Sequence, residues 1–201
     1  MKPLNLTSPH LIIMVGIPGS GKSFFAEHFA STFNAPYISF EKTRDELFKE
    51  QTGDNSQQII VSRANSLLLS ELLKTGQTII YEGLTDAASV RLELARIARS
   101  KNYQPLFVWV QTESLSAKER ATKVTRGKLS MTIDQFDARL RHFTAPGSSE
   151  KAVVISGKHT YPSQLKIVLK RLADGHPDRL ETPQAPARPS SSIERRHIAI
   201  R

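Results

Sequence analysis

The segment Gly16-Ile17-Pro18-Gly19-Ser20-Gly21-Lys22-Ser23 constrains the fold of this chain more than any other feature. An apolar run at residues 11–15 precedes it, and apolar residues at helical spacing follow it at 22–33. A strand that passes through glycines into a helix can turn its backbone N–H groups inward, where they bind phosphate. We predict that Lys22 reaches the β and γ phosphates of a nucleotide and that the Ser23 hydroxyl coordinates Mg²⁺. The predicted nucleotide-contacting residues here are Gly16, Ile17, Pro18, Gly19, Ser20, Gly21, Lys22, Ser23 and Phe24.

Apolar runs and helical patterns alternate along the chain. The apolar runs predict buried strands at residues 11–15, 37–40, 78–81, 106–110 and 152–155. The helical patterns lie at residues 22–33, 43–51, 56–75, 86–101, 132–143 and 162–172. Asp86 is expected to cap one of these helices, and Thr132 with Gln135 forms a capping-box pattern at another. This alternation predicts an α/β fold with a five-stranded parallel sheet and helices on both faces. The loop at residues 16–23 is typical of the P-loop NTPase type of this fold.

The composition favours an anionic partner and a reducing compartment. The chain has a formal net charge of +9 and no cysteine, which excludes disulfides, thiolate metal sites and a cysteine nucleophile. The apolar run at residues 67–73 contains a charge and is far shorter than the roughly 20 residues of a membrane span. We therefore expect a cytoplasmic protein that does not cross a membrane.

The last part of the chain changes in composition. Residues 174–201 contain four prolines, a run of three serines and few apolar residues, which predicts a disordered basic tail. Residues 193–201 combine apolar and basic side chains. They are expected either to dock on an acidic partner or to remain solvated.

Three further segments contain charged residues at informative positions. Glu41 and Arg44 follow the second predicted strand, and their spacing places both side chains on one face of a helical turn. Glu82 ends the third strand. Arg120, Lys123, Arg126 and Lys128 lie between the fourth strand and the capping box. Together with residues 16–23, these segments resemble the polynucleotide-kinase-like and zeta-toxin-like branch of P-loop kinases, which is grouped with AAA-type ATPases, over about residues 10–172.

The resemblance implies roles for Glu41 and Arg44. The family has an aspartate where this chain has Glu41, and an arginine at the position of Arg44. A carboxylate there accepts the proton of an attacking hydroxyl, and the guanidinium binds an acceptor phosphate or the transferred phosphoryl group. The alternative for Glu41 is a solvated glutamate at a helix start that interacts favourably with the helix dipole.

The resemblance also implies that Glu82 holds Mg²⁺ as the acid of a Walker-B pattern, although the family usually has aspartate there. The alternative is a strand-terminal acid paired with a neighbouring base. The Thr-Asn that commonly follows in the family is Gly83-Leu84 here. Arg91 fits the family's spacing but could equally be an arginine on a helix surface.

A mobile lid is implied at about residues 118–131, within a kinase domain at residues 1–173. Its arginines, Arg120 and Arg126, would close over ATP and neutralise charge on the transferred group. Arg126 with Gly127 matches the family best, whereas Arg120 requires a shift in register. A basic solvated helix is the alternative interpretation.

The expected function is that of an ATP-dependent kinase, with ATP and Mg²⁺, that transfers the γ-phosphoryl group to a hydroxyl acceptor. The positive charge favours a nucleic-acid 5′-hydroxyl, and a nucleoside or nucleotide sugar is the alternative acceptor. A second alternative is an ATP-binding regulatory module without phosphotransfer. ATP is preferred to GTP because the Asn-Lys-x-Asp guanine signature is absent. The phenylalanines at 24, 25, 29 and 33 are expected to pack in the core and not to stack on bases.

Overall fold

The computed structural model describes residues 8–49, 55–125, 128–129 and 131–174. The strands are β1 (His10–Val15), β2 (Tyr37–Ser39), β3 (Ile79–Glu82), β4 (Gln104–Gln111), β5 (Val124–Thr125), β6 (Lys128–Leu129) and β7 (Val153–Ser156). The helices are α1 (Lys22–Phe33), α2 (Phe40–Leu47), α3 (Asn55–Leu72), α4 (Ala88–Ser100), α5 (Ser114–Ala121), α6 (Ile133–His142) and α7 (Tyr161–Asp174), with a 3₁₀ turn at Ser148–Glu150.

Five strands form one parallel sheet in the order β2-β3-β1-β4-β7. The central strand β1 pairs with β3 on one side and β4 on the other, so that Leu11 lies opposite Ile79 and Pro105. Every residue of β1 is buried, as its continuous apolar sequence predicts for the middle of a parallel sheet. The predicted α/β fold of the P-loop NTPase type is confirmed.

Successive side chains of β1 point to opposite faces of the sheet and divide the interior into two cores. Ile12 packs with α1 and α7, where Phe25 and Val168 belong to the same buried cluster. Ile13 faces the other side and packs with α3 and α4, where Leu94 is part of the cluster. The sheet is therefore covered by helices on both faces, as the sequence predicts.

Helices α5 and α6 pack on the end of the sheet that carries residues 16–23. A small buried cluster joins Ile17 to Ala117 and Ala121 of α5 and to Phe136 of α6. Strands β5 and β6 form an antiparallel pair that the sequence patterns did not predict. Arg126 and Gly127 of the predicted lid lie outside the described residues, and so do residues 175–201 of the predicted tail.

The structure corrects two predictions around α4. Asp86 does not cap the helix, because α4 begins at Ala88 with Ala87 as its N-cap and no capping side chain. The Asp86 carboxylate instead accepts hydrogen bonds from Arg139. The interpretation of Arg91 as a surface residue is also wrong, since its side chain is fully buried.

Two other expectations differ from the structure. The second helix begins at Phe40, three residues before the predicted start, because Ser39 caps it by accepting a hydrogen bond from the Lys42 backbone N–H. Phe24 is not a core residue: it lies on the outer face of α1, is 47% exposed and contacts His28. Within the described part of the chain, no helix is long and apolar enough to span a membrane.

Arg91 forms a buried ion pair that fixes the chain around the end of β3. Its Nε and Nη2 atoms donate to the two carboxylate oxygens of Glu150 at 2.6 and 2.9 Å, and Nη1 donates to the carbonyls of Thr85 and Asp86. The Glu150 side chain is 5% exposed. Removing the carboxylate would leave a guanidinium buried without its counter-charge.

We expect Glu150→Ala to lower the free energy of unfolding by about 3 kcal/mol, the usual cost of breaking a buried ion pair. Urea denaturation of the purified protein measures this loss. The control is Glu93→Ala, because Glu93 makes the same type of two-point contact with Arg96 on an exposed face. That variant should unfold like the wild type, and equal losses in both variants would contradict the prediction.

The effect of Glu150→Ala should also depend on pH. The hydrogen bonds from Arg91 hold the pKa of the Glu150 carboxyl below its ordinary value of 4.5. A carboxylate with a lowered folded-state pKa stabilises the fold above its unfolded-state pKa and loses that contribution as the pH falls through the folded-state pKa. The difference in stability between wild type and variant should therefore shrink below pH 4.5.

Candidate functional site

The loop between β1 and α1 has a backbone that glycine makes possible. Gly19 adopts φ +73°, and a side-chain carbon there would lie 2.1 Å from the carbonyl oxygen of Ala117 in α5. Gly21 adopts φ 106° as the N-cap residue of α1. Larger residues are disfavoured in this left-handed region, and at Gly19 there is also no space. The loop can therefore curve at the start of α1 while α5 packs directly against it.

Lys22 extends from the first position of α1 back into this curve. Its Nζ donates to the carbonyl oxygens of Gly16 at 2.8 Å and Ile17 at 3.0 Å. Burial lowers the pKa of Lys22 to about 8, and the nearby Glu82 carboxylate opposes that shift. An ammonium group with little water around it interacts strongly with anions. The carbonyls of Gly16 and Ile17 hold the ammonium in place inside the loop.

Ser23 and Glu82 lie side by side at the start of α1 and the end of β3. The Ser23 hydroxyl donates to Glu82 Oε1 at 2.6 Å, and the Tyr37 hydroxyl donates to Glu82 Oε2. Among the described residues, the hydroxyls of Ser23 and Tyr37 hydrogen-bond to this carboxylate, and its charge also acts on the neighbouring Lys22 ammonium. A hydroxyl and a carboxylate are the hard oxygen ligands that Mg²⁺ prefers, so the donor set fits the predicted metal.

Glu41 and Arg44 lie on the first turns of α2. The Arg44 Nη2 atom donates to Glu41 Oε2. The two side chains therefore share one face of the helix, as their spacing predicts. Ser39, which caps this helix, pairs with Glu82 across β2 and β3, so α2 begins beside Glu82.

A cavity of about 370 Å³ brings most of the predicted residues together. It lies between the loop after β1, the start of α2, the end of β3 and the ends of α5 and α6. Its walls include Lys22, Ser23, Glu41, Arg44, Glu82 and Arg120, together with Pro18, Gly19, Phe40, Asp45, Gly83, Leu84, Ala121, Met131 and Arg139. Residues from five separate parts of the sequence therefore surround one space.

Not every predicted residue lines this cavity: the backbone residues Gly16, Ile17, Ser20 and Gly21 of the loop are not part of its wall. The Phe24 side chain is not among the residues that line it. Arg120 lines the cavity and also donates to the carbonyl of Gly157, after β7, at 3.2 Å. The predicted catalytic residue Arg126 lies outside the described residues. Arg91 supports the carbonyls of Thr85 and Asp86 and is not part of the cavity wall.

The sequence did not reveal Arg139, which reaches the cavity from α6. Its Nε and Nη2 atoms donate to Asp86 Oδ2 at 2.9 and 2.7 Å. The charge of Arg139 lowers the pKa of Lys22, so the two cations lie close enough to repel each other. A single arginine in a basic helix carries no sequence signal of its own. The capping box at Thr132, which the structure confirms, predicted the start of α6 but not the direction of the Arg139 side chain.

Comparisons with known proteins agree with this arrangement. Residues 11–146 match a family model described as AAA domain. A gluconokinase from Sinorhizobium meliloti 1021 is 18% identical, with a TM-score of 0.59 over 83% of this chain and 93% of that chain. Kti12 from Chaetomium thermophilum, solved in complex with ADP-AlF3, is 14% identical, with a TM-score of 0.61 over 81% and 97% of the two chains.

A chain of the Pnkp1/Rnl/Hen1 RNA repair complex is similar as well. It is 18% identical, with a TM-score of 0.59 over 74% of this chain and 47% of that chain. At such identities the likeness shows the fold, and the predicted similarity to P-loop kinases is confirmed. No curated protein matches the sequence significantly.

We expect Lys22→Met to weaken ADP binding about 10- to 100-fold, because hydrogen bonds between the ammonium and phosphate oxygens are worth about 1.5–3 kcal/mol. Isothermal titration calorimetry with ADP and magnesium measures this change. Methionine keeps the length and apolar stem of lysine, so the fold should persist.

The matched control for Lys22→Met is Lys74→Met. Lys74 is an exposed lysine whose ammonium pairs with Glu71. Its replacement should leave ADP affinity unchanged. Wild-type affinity in Lys22→Met would contradict the assignment of residues 16–23 as the phosphate site.

Proposed function

The chain belongs to the AAA domain family, and from this premise we propose that it is an ATP-dependent kinase that phosphorylates a hydroxyl acceptor. The observation that carries the proposal is the single cavity lined by Lys22, by the Ser23 and Glu82 pair, and by the Glu41 and Arg44 pair. These three groups are a phosphate ligand, a candidate metal site and a candidate base with its cation. A phosphoryl transfer enzyme needs all three within reach of one another.

Residues 16–23 bind the phosphate tail of ATP in this proposal. The backbone N–H groups of the loop and the start of α1 supply partial positive charge, and Lys22 supplies a full one. ADP-AlF3 in the similar Kti12 structure supports an adenine nucleotide as the ligand. Arg120 adds a cation on the side of the cavity formed by α5.

Ser23 and Glu82 hold Mg²⁺ in this proposal. When bound, the ion neutralises charge on the phosphates and holds them in a fixed orientation. The Glu82 carboxylate offers oxygen atoms that can coordinate the ion, and the Ser23 hydroxyl already contacts one of them.

Glu41 acts as the base, and Arg44 orients it. The acceptor hydroxyl gives its proton to Glu41 while its oxygen forms a bond to the γ-phosphorus. The bond between that phosphorus and the β–γ bridging oxygen breaks, and ADP leaves with the electron pair. Because Arg44 holds Glu41 Oε2, the second carboxylate oxygen is left for the acceptor, and the guanidinium can also bind an acceptor phosphate.

The lid contributes arginines and excludes water. Arg126 keeps its proposed role as the cation that stabilises the transferred group, although it lies outside the described residues. Arg139, which Asp86 holds at the cavity wall, adds positive charge from α6. Closing over ATP would keep water from competing with the acceptor.

A nucleic-acid 5′-hydroxyl is the acceptor class that we favour. A second cavity of about 540 Å³ lies along α3 and shares Leu84 with the candidate site. Most of its wall is apolar, but the guanidinium of Arg63 and the neighbouring amide and hydroxyl groups could bind phosphate groups of such an acceptor. The net charge of +9 and the similar RNA repair chain point the same way.

Two alternative functions can be tested in the same experiments as the nucleic-acid kinase. A small-molecule acceptor is suggested by the similar gluconokinase. A regulatory module that binds ATP without transferring phosphate is suggested by Glu41 and Glu82, which replace the aspartates of the resembled kinases. A screen with γ-labelled ATP against 5′-hydroxyl DNA and RNA, nucleosides and sugar nucleotides separates these functions. Release of phosphate without transfer to any acceptor would count against every kinase interpretation.

We expect Glu41→Gln to lower kcat for phosphotransfer about 10²- to 10⁴-fold, the usual contribution of a general base. Glutamine keeps the size of the side chain but cannot accept the proton, so ATP affinity should stay at the wild-type value. Labelled product formation and calorimetry with ATP measure the two effects separately.

The control for this variant is Glu46→Gln, an exposed acid on the same helix that does not line the cavity. It should behave like the wild type in both assays. Unchanged phosphotransfer in Glu41→Gln would remove the proposed base, and binding of ATP without any transfer in the wild type would favour the regulatory module.

A further inference from the structure

Tyr37 makes a contact with the Walker-B acid that the mechanism above does not use. Its hydroxyl donates to Glu82 Oε2, while Ser23 donates to Oε1. Both oxygens of the carboxylate are therefore held by hydroxyl groups from two different elements. Such a carboxylate has one defined orientation, whereas an unsupported glutamate has several rotamers of similar energy.

The strand register explains why a tyrosine reaches this carboxylate. Tyr37 lies opposite Ile80 in the parallel pairing of β2 with β3, and Glu82 lies two residues further along β3. Side chains on neighbouring strands at these positions share one face of the sheet, about 6.6 Å apart along the strand direction. A tyrosine side chain can span that distance, and phenylalanine at the same place would lack the hydroxyl.

The surroundings of Tyr37 hold the ring in this direction. Lys42 Nζ lies 5.2 Å from the ring centroid, and the ring packs against the core formed by α1 and α7. These contacts keep the phenol oxygen beside the Glu82 carboxylate.

We propose that Tyr37 is a positioning residue for the metal site, which fixes the Glu82 carboxylate so that this longer acid presents an oxygen to the divalent cation beside Ser23. The proposal rests on the proposed role of Ser23 and Glu82 as metal ligands. Groups that hydrogen-bond to metal ligands commonly change metal affinity about 10- to 100-fold when they are removed. Tyr37 acts through Glu82 and does not itself contact the metal.

The test measures metal-dependent nucleotide binding, not activity. The Kd for ADP is determined by calorimetry once in EDTA and once with saturating Mn²⁺. The Kd in EDTA divided by the Kd with Mn²⁺ is the ratio that reports how strongly the metal supports binding. For Tyr37→Phe we expect the EDTA value to match the wild type and the ratio to fall about tenfold. A merely structural role would instead lower the melting temperature and weaken both values together.

The matched control is Tyr103→Phe. Tyr103 is buried, whereas Tyr37 is partly buried, and the Tyr103 hydroxyl donates to the Leu72 carbonyl at 3.4 Å in the core on the opposite face of the sheet. This variant should keep the wild-type ratio. A wild-type ratio in Tyr37→Phe, or a wild-type protein whose ADP affinity does not respond to Mn²⁺, would overturn the proposal.

A second variant keeps the proposal testable if Tyr37→Phe does not fold. Glu82→Asp shortens the acid, so its carboxylate loses contact with the Tyr37 hydroxyl, and we expect a similar fall in the ratio. A wild-type ratio in Glu82→Asp would overturn the proposal as well. If the ratio depends on Tyr37 but no acceptor is phosphorylated, the positioning role stands and the proposed kinase function fails.

Discussion

The parallel direction of all five strands in the main sheet is the constraint on which the rest of the structure depends. Parallel strands place their C-terminal ends at one edge of the sheet, and in open α/β sheets ligands bind outside that edge. The loop at Gly16 leaves β1 there, Glu41 follows β2, and Glu82 ends β3. Gly157, which follows β7, accepts a hydrogen bond from Arg120. The site is therefore a consequence of strand direction, since residues far apart in sequence meet wherever their strands end.

The electrostatics of the cavity follow from this crowding. Lys22, Arg44 and Arg139 line the same cavity as the carboxylates of Glu41 and Glu82. Burial favours the neutral form of Lys22, and the carbonyls of Gly16 and Ile17 partly compensate by accepting its hydrogen bonds. A bound polyphosphate would place its negative charges beside the buried Lys22, where the effective dielectric constant is lower than in bulk water and contacts between anions and cations are stronger.

The fold and much of the candidate site could be predicted because their signals are local. The apolar run at 11–15, the glycines after it and the capping box at Thr132 each act within one strand, turn or helix end. The prediction that Asp86 caps a helix was wrong because its position before a helix is a local signal, whereas its actual partner, Arg139, lies far away in the sequence. The burial of Arg91 against Glu150 likewise depends on two segments that lie 59 residues apart. Sequence periodicity carries no information about which distant partner a charged side chain meets.

The two acids that differ from the resembled kinases both accept hydrogen bonds from neighbouring side chains. Each glutamate has one more rotatable bond than aspartate, and ordering a long polar side chain costs up to about 2 kcal/mol of conformational entropy. Hydrogen bonds to a charged group contribute about 1.5–3 kcal/mol each, which is enough to offset that cost. Ser23 and Tyr37 make two such contacts with the buried Glu82, whereas the exposed contact of Arg44 with Glu41 contributes less, about 0.3–0.5 kcal/mol. At Glu82 these contacts offset the cost of ordering the longer side chain, provided that the hydroxyls of Ser23 and Tyr37 are present.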